Sequence, residues 1–155
     1  MARLGIGDPA PDFSLQSVDK ESVCLVDFED VPLIIVFLRS KTSPESRMQL
    51  AQLREDHQKL REGHVPVFVI APHTAEELAE YWEQNRIPVI GLADPDSEVS
   101  KAYGQEFVPP EGWMPAMIGL DAEHKVAYTH YGRDQRDVAT SKEIIDLMPK
   151  LAEAA

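Results

Sequence analysis

The sequence predicts an α/β fold built on a mixed β-sheet with helices on both faces. Three observations carry this. Residues 33–38 and 65–71 are continuous apolar runs rich in β-branched and aromatic side chains, the pattern of strands buried on both faces of a parallel sheet. Each is followed by a segment with helix-start chemistry and apolar residues at helical spacing, which gives consecutive β-α-β units with right-handed crossovers. Finally, residues 116–120 and 125–131 are strand-like runs joined by only Asp121, Ala122, Glu123 and His124, close enough for an antiparallel hairpin.

Taken in order, the opening Gly7-Asp8-Pro9-Ala10-Pro11-Asp12-Phe13 is held extended by its prolines, and a short β pair is expected between Phe13 and Val26. The buried strand 33–38 runs through Arg39-Ser40-Lys41-Thr42 into Ser43-Pro44-Glu45. There Ser43 suits a helix cap, Pro44 the first helical position, and Glu45 the positive end of the helix dipole. Leu50, Leu53, His57 and Leu60 continue the helical spacing to Gly63, a residue suited to the position after a helix end. Strand 65–71 leads to Thr74-Ala75-Glu76-Glu77, which has capping-box spacing, and to a helix with Leu78, Tyr81, Trp82 and Asn85 facing inward. Residues 89–93 form a third strand, and Asp94-Pro95-Asp96-Ser97 turns into a short helix ending at Tyr103-Gly104. After the hairpin, Thr140-Ser141-Lys142-Glu143 repeats the capping-box spacing and begins a last helix, which Pro149 should bend.

With 155 residues, 43% of them hydrophobic, the chain has the material for one domain over residues 1–155. A formal charge of −12 makes the chain a poor match for nucleic acid or an anionic membrane, which reward clustered Lys and Arg, so neither is an expected partner. No apolar run reaches membrane-spanning length and the first residues do not read as a secretory signal, so the expected location is the cytoplasm. The one cysteine, Cys24, rules out an intramolecular disulfide and a cysteine-cluster metal site. Set in the apolar run Val23-Cys24-Leu25-Val26, it is expected to be buried as a small hydrophobe; an exposed, reactive thiol is the alternative. The five histidines show no metal-site spacing, and no cofactor is expected.

In open α/β sheets, chemistry gathers beyond the carboxyl ends of the strands, which points to the loop from Arg39 to Ser46. Ala10-Pro11-Asp12-Phe13-Ser14-Leu15, the run Phe37-Leu38-Arg39 feeding Ser43-Pro44-Glu45-Ser46-Arg47, and Leu92-Ala93-Asp94-Pro95-Asp96 before Ala102-Tyr103-Gly104 together resemble the alkyl hydroperoxide reductase and thiol-specific antioxidant family. The resemblance covers nearly the whole chain and implies a thioredoxin-like, peroxiredoxin-like fold and a thiol-dependent oxidoreductase ancestry. It also implies a peroxidatic cysteine at the position of Ser46 and a threonine or cysteine at that of Ser43. Both are serine here, so Ser43 and Ser46 are the candidate catalytic positions, with the redox chemistry expected to be absent.

The resemblance further implies a cis-proline at Met114-Pro115 and, in active peroxidases, an arginine just after it, where Ala116 stands. Two readings of the loop remain open. In one, Ser43 caps the helix and Ser46 is a polar first-turn residue. In the other, Arg39, Thr42, Arg47, Trp113 and Pro115 line a ligand site for a small anion or a peroxide-like molecule at the helix start. A hydrolase built from Ser46, His73 and Asp94 lacks the Gly-x-Ser-x-Gly turn such an enzyme uses. A homodimer is an expectation by family analogy alone.

Overall fold

The computed structural model describes residues 3–153. The N-terminal pair forms as β1 (Ser14–Ser17) and β2 (Ser22–Cys24), followed by a 3-10 turn, Leu25–Phe28. Then come β3 (Leu33–Phe37), α1 (Pro44–Glu55), α2 (His57–Glu62), β4 (Val67–Ala71), α3 (Ala75–Asn85), β5 (Ile90–Ala93) and α4 (Glu98–Ala102). A two-stranded ribbon of β6 (Phe107–Val108) and β7 (Gly112–Trp113) precedes the hairpin β8 (Ala116–Leu120) and β9 (Val126–Tyr131), and α5 (Ser141–Glu153) closes the fold.

The main sheet has seven strands in the order β2-β1-β5-β4-β3-β8-β9. β3 pairs parallel with β4, and β4 with β5, while β8 runs antiparallel to β3 and β1 antiparallel to β5. All residues of β3, β4 and β8 are buried, as their uninterrupted apolar runs require of central strands. Alternation along β3 divides the core: Ile34 and Val36 face one cluster with Leu50, Leu53, Leu78, Trp82, Ile144 and Met148, whereas Leu33, Ile35 and Phe37 face another with Phe13, Leu25 and Tyr103. Thus α1, α2, α3 and α5 cover one face, and the 3-10 turn and α4 pack on the other.

Three expectations need correction. The helix expected to run unbroken to Gly63 is two helices, because Asp56, at φ −94° and ψ 14°, breaks the helical path and turns its N–H toward Gln52 and Arg54 carbonyls. Gly63 follows the end of α2 as expected, at φ −75° and ψ −17°, and the left-handed conformation falls on the next residue, His64, at φ 56°. What excludes a side chain at Gly63 is α5, since a Cβ there would lie 2.1 Å from Met148 Sδ. Cys24 is half-buried rather than buried, because β2 is an edge strand, and its thiol donates to Ser14 Oγ at 3.2 Å. The cis bond is Pro109–Pro110, not Met114–Pro115. The latter segment is fixed by Met114 N–H to the Glu106 carbonyl and Gly132 N–H to the Pro115 carbonyl, both at 2.8 Å. Pro149 lies inside α5, which continues to Glu153.

Candidate functional site

The junction of β3 and α1 forms as its sequence dictates. Ser43 is the N-cap of α1 and Pro44 its first residue. Ser43 Oγ accepts from Ser46 N–H at 3.4 Å, supplying a partner to one of the amides that a helix start leaves unpaired. Ser40 Oγ accepts from the amides of both Thr42 and Ser43, folding the loop tightly before the helix. Both serines are inward: Ser43 is 7% exposed and Ser46 1%.

Arg39, just past the end of β3, organises the loop around these serines. Its Nη1 donates to Ser43 Oγ and to Glu45 Oε1, each at 3.1 Å, and Ser43 Oγ in turn donates to Glu45 Oε1 at 3.3 Å. Its Nε and Nη2 donate to the carbonyls of Trp113 and Glu111, both at 2.7 Å, tying the β6–β7 ribbon to the helix start. The Glu45 carboxylate therefore sits where the dipole of α1 and the guanidinium both favour negative charge. Beneath them, buried Gln105 donates from Nε2 to the carbonyls of Leu38 and Met114.

No histidine nitrogen bonds either serine hydroxyl among the described residues. His73 Nε2 instead accepts from Lys41 N–H at 2.9 Å. Burial, with a smaller contribution from the Lys41 charge, holds that imidazole below its ordinary pKa despite Glu77 nearby, which suits the neutral ring this acceptor role needs. Asp94 is likewise committed elsewhere, accepting from Ser100 N–H and Oγ–H. The Ser46, His73, Asp94 arrangement is not assembled.

Residues 6–129 match the AhpC/TSA family. The chain belongs to this family. Its peroxiredoxin relatives include Peroxiredoxin Bcp of Escherichia coli K12, 31% identical over 104 residues that make up 67% of each chain. The fold is that of a peroxiredoxin-like protein from Aquifex aeolicus, with a TM-score of 0.83 at 20% identity over 97% of this chain and 90% of that one. The thiol peroxidase from Chromobacterium violaceum superposes with a TM-score of 0.76 at 27% identity, covering 99% and 89%.

In this AhpC/TSA member, the residues singled out from the sequence divide into two groups. Arg39, Ser43, Ser46 and the Trp113 carbonyl converge on the start of α1. Arg47 turns away, its Nε donating to the Lys41 carbonyl and its guanidinium lying 5.6 Å from the Tyr81 ring. Among the described residues Thr42 hydrogen-bonds Ser40 through its side chain, and the Trp113 ring packs edge-on against Phe107 at 5.3 Å. Sequence reasoning missed the roles of Gln105 and Glu111, which act through long-range backbone contacts that no local spacing encodes. Glu45 was legible as a first-turn acid but not as the partner of Arg39.

Proposed function

We propose that this AhpC/TSA chain keeps the peroxiredoxin scaffold without cysteine-peroxidase turnover, Ser43 and Ser46 standing where the family resemblance places reactive thiols. The observation that supports this best is the commitment of Ser43 Oγ to the cap, accepting from Ser46 N–H and Arg39 and donating to Glu45. A cysteine near a helix N-terminus has its pKa of about 8.5 lowered toward or below neutrality, and the thiolate attacks peroxide. A serine hydroxyl does not ionise there, and it forms neither the sulfenic acid nor the disulfide of the redox cycle. The remaining thiol, Cys24, lies on β2, four strand positions from β3 and so roughly 19 Å across the sheet. A cytoplasmic location, where a lone thiol stays reduced, accords with this reading. A small anion held by Arg39 would have to compete with the Glu45 carboxylate already on Nη1.

The test is hydrogen peroxide consumption with dithiothreitol as reductant, comparing the parent chain with Cys24→Ser, Ser46→Cys and Ser43→Cys/Ser46→Cys, each checked for folding by circular dichroism. The parent and Cys24→Ser should show no turnover above buffer, and turnover should appear only where cysteine has been introduced. Rapid stoichiometric consumption by the parent that survives Cys24→Ser would overturn the proposal.

A further inference from the structure

The segment from Arg133 to Val138, between β9 and α5, is anchored at both ends and loose between them. Gly132 N–H donates to the Pro115 carbonyl, and the Ala139 carbonyl accepts from the buried amide of Gln49, both at 2.8 Å. Gly132 and Ala139 are themselves buried, whereas every residue from Arg133 to Val138 is exposed or half-buried. The hydrogen bonds inside the segment are local: Asp134 Oδ1 accepts from the amides of Arg136 and Asp137, Asp137 Oδ2 accepts from Arg133 N–H, and Val138 N–H donates to the Arg136 carbonyl. Among the described residues, one hydrogen bond ties the segment to the body of the fold, from His130 Nε2 to Asp137 Oδ1 at 2.9 Å.

That tie is titratable. The two ring nitrogens of His130 are engaged on opposite sides: Nδ1 meets the Glu143 carboxylate of α5, 2.7 Å from Oε2 and 2.9 Å from Oε1, while Nε2 meets Asp137. Tyr128, two positions earlier on β9, donates its hydroxyl to Glu143, and the residue paired with His130 on β8 is the uncharged Met117. Arg133, its side chain 90% exposed, lies 3.5 Å from Asp137, so among the described residues the charged groups paired with the ring itself are Glu143 and Asp137. Burial acts to lower the pKa of the imidazole, but the two carboxylates together outweigh it, and the ring loses its proton above the ordinary value of about 6.5. A neutral ring has one N–H, so it keeps one carboxylate and turns a lone pair toward the other. Asp137 is the partner that separates. Glu143 is fixed on a helix, keeps the Tyr128 hydroxyl as a second donor and has its amide capped by Thr140 Oγ1, whereas Asp137 lies on the loose segment and can turn its carboxylate to water.

We propose that residues 133–138 are a pH-released strap, latched through Asp137 by the imidazolium of His130 and let go when that ring becomes neutral. The strap forms one wall of a cavity of about 510 Å³, contributing Arg133, Asp134, Gln135 and Arg136. Glu111 and Met114 also line this cavity, and the Glu111 carbonyl holds Arg39 Nη2, so the strap and the candidate site border the same space. The sign is set by the chemistry: the charged ring holds and the neutral ring releases, so the strap loosens as pH rises. Buried Gly132 and Ala139 stay in place as its hinges, and the cavity opens along the wall between them.

Because the strap carries two trypsin sites, Arg133 and Arg136, its opening is read by limited trypsin digestion of the full chain at pH 6.5 and pH 8.5, with fragments assigned by mass spectrometry. Rates are divided by those of a free peptide of the strap sequence at the same pH, which removes the protease's own pH dependence. Cleavage after Arg54, inside α1, reports unfolding of the whole chain. Normalised cleavage in the strap should rise at least about tenfold between the two pH values, and by more than cleavage after Arg54. His130→Gln and Asp137→Asn, each checked by circular dichroism, should be cut in the strap at pH 6.5 about as fast as the parent is at pH 8.5. ¹⁵N NMR of the neutral His130 ring should find its proton on Nδ1. Strap cleavage in the parent that does not change with pH, or that only tracks cleavage after Arg54, would overturn the proposal, as would parent-like cleavage in both variants or a neutral ring protonated on Nε2.

Discussion

His130, on the edge strand β9, is held between two carboxylates in a way that makes stability depend on pH. Its Nδ1 lies 2.7 Å from Glu143 Oε2, its Nε2 lies 2.9 Å from Asp137 Oδ1, and its side chain is 17% exposed. Both ring nitrogens can donate only in the imidazolium, so the geometry calls for the charged form. Burial is the largest single influence and acts to lower the pKa, but hydrogen bonds and charge from Glu143 and Asp137 together outweigh it and raise His130 above its ordinary value. Glu143 also accepts from Tyr128 OH, a bond that, with burial and the Glu143 charge, pushes that phenol up to about 12. Asp137 takes Arg133 N–H and lies 3.5 Å from Arg133 Nε, so the loop before α5, the helix and the sheet edge meet at this ring. Because the folded-state pKa is above the unfolded one, the stabilisation is complete below about pH 6.5 and is lost as pH rises through the raised folded value. Replacing Glu143 by Gln keeps the volume and an acceptor but removes one charge-assisted bond to the imidazolium, which should cost about 1.5–3 kcal/mol at pH 6. For a chain of this size that is a fall in Tm of roughly 3–12 °C. Urea unfolding of parent and Glu143→Gln at pH 6 and pH 9, with an NMR titration of the His130 ring, measures it. The gap between the two proteins should narrow at pH 9. An equal gap at both pH values, or a His130 that titrates below its ordinary value, would refute the argument.

Two further outcomes follow from packing. Gln105→Leu should leave the buried Leu38 and Met114 carbonyls without their shared donor and lower stability by about 2–4 kcal/mol in urea unfolding; a loss under 1 kcal/mol would show that the loop does not depend on this amide. Gly91→Ala would place a Cβ 2.6 Å from the Trp82 ring, so it should cost about 1–3 kcal/mol and alter Trp82 fluorescence, and a variant indistinguishable from the parent would refute the contact.

The β-α-β units, the closing hairpin and the β3–α1 junction were legible because their signals are local: period, cap and proline position fall within a few residues of one another. Two identical capping-box spacings show where such signals stop. At Thr74, the box closes, with Glu77 N–H on Thr74 Oγ1 and Thr74 N–H on Glu77 Oε1. At Thr140 only half of it forms, because Glu143 is drawn to Tyr128 and His130 on β9, partners that the local sequence does not contain. The same limit hid Gln105, and it misplaced Cys24, whose apolar neighbours do not reveal that β2 ends up at the sheet edge. The break at Asp56 was equally hidden, since Leu53 and Leu60 both reach the core and so keep the helical spacing across it.

The two serines differ in what a return to cysteine would disturb, and the difference separates stability from chemistry. Ser43 Oγ is at once acceptor for Ser46 N–H and Arg39 and donor to Glu45, a set that a thiol, a weak donor and weak acceptor, cannot reproduce. Losing the cap should cost about 1 kcal/mol and would loosen Arg39 from the helix start. Ser46 enters this network through its backbone amide, so Ser46→Cys leaves the cap intact and places a sulfur one turn inside α1, where the helix dipole favours a thiolate. Ser46→Cys should therefore unfold at the same urea midpoint as the parent, while Ser43→Cys/Ser46→Cys unfolds earlier. If the single variant is destabilised as much as the double, the network around Ser43 is not what holds this helix start in place.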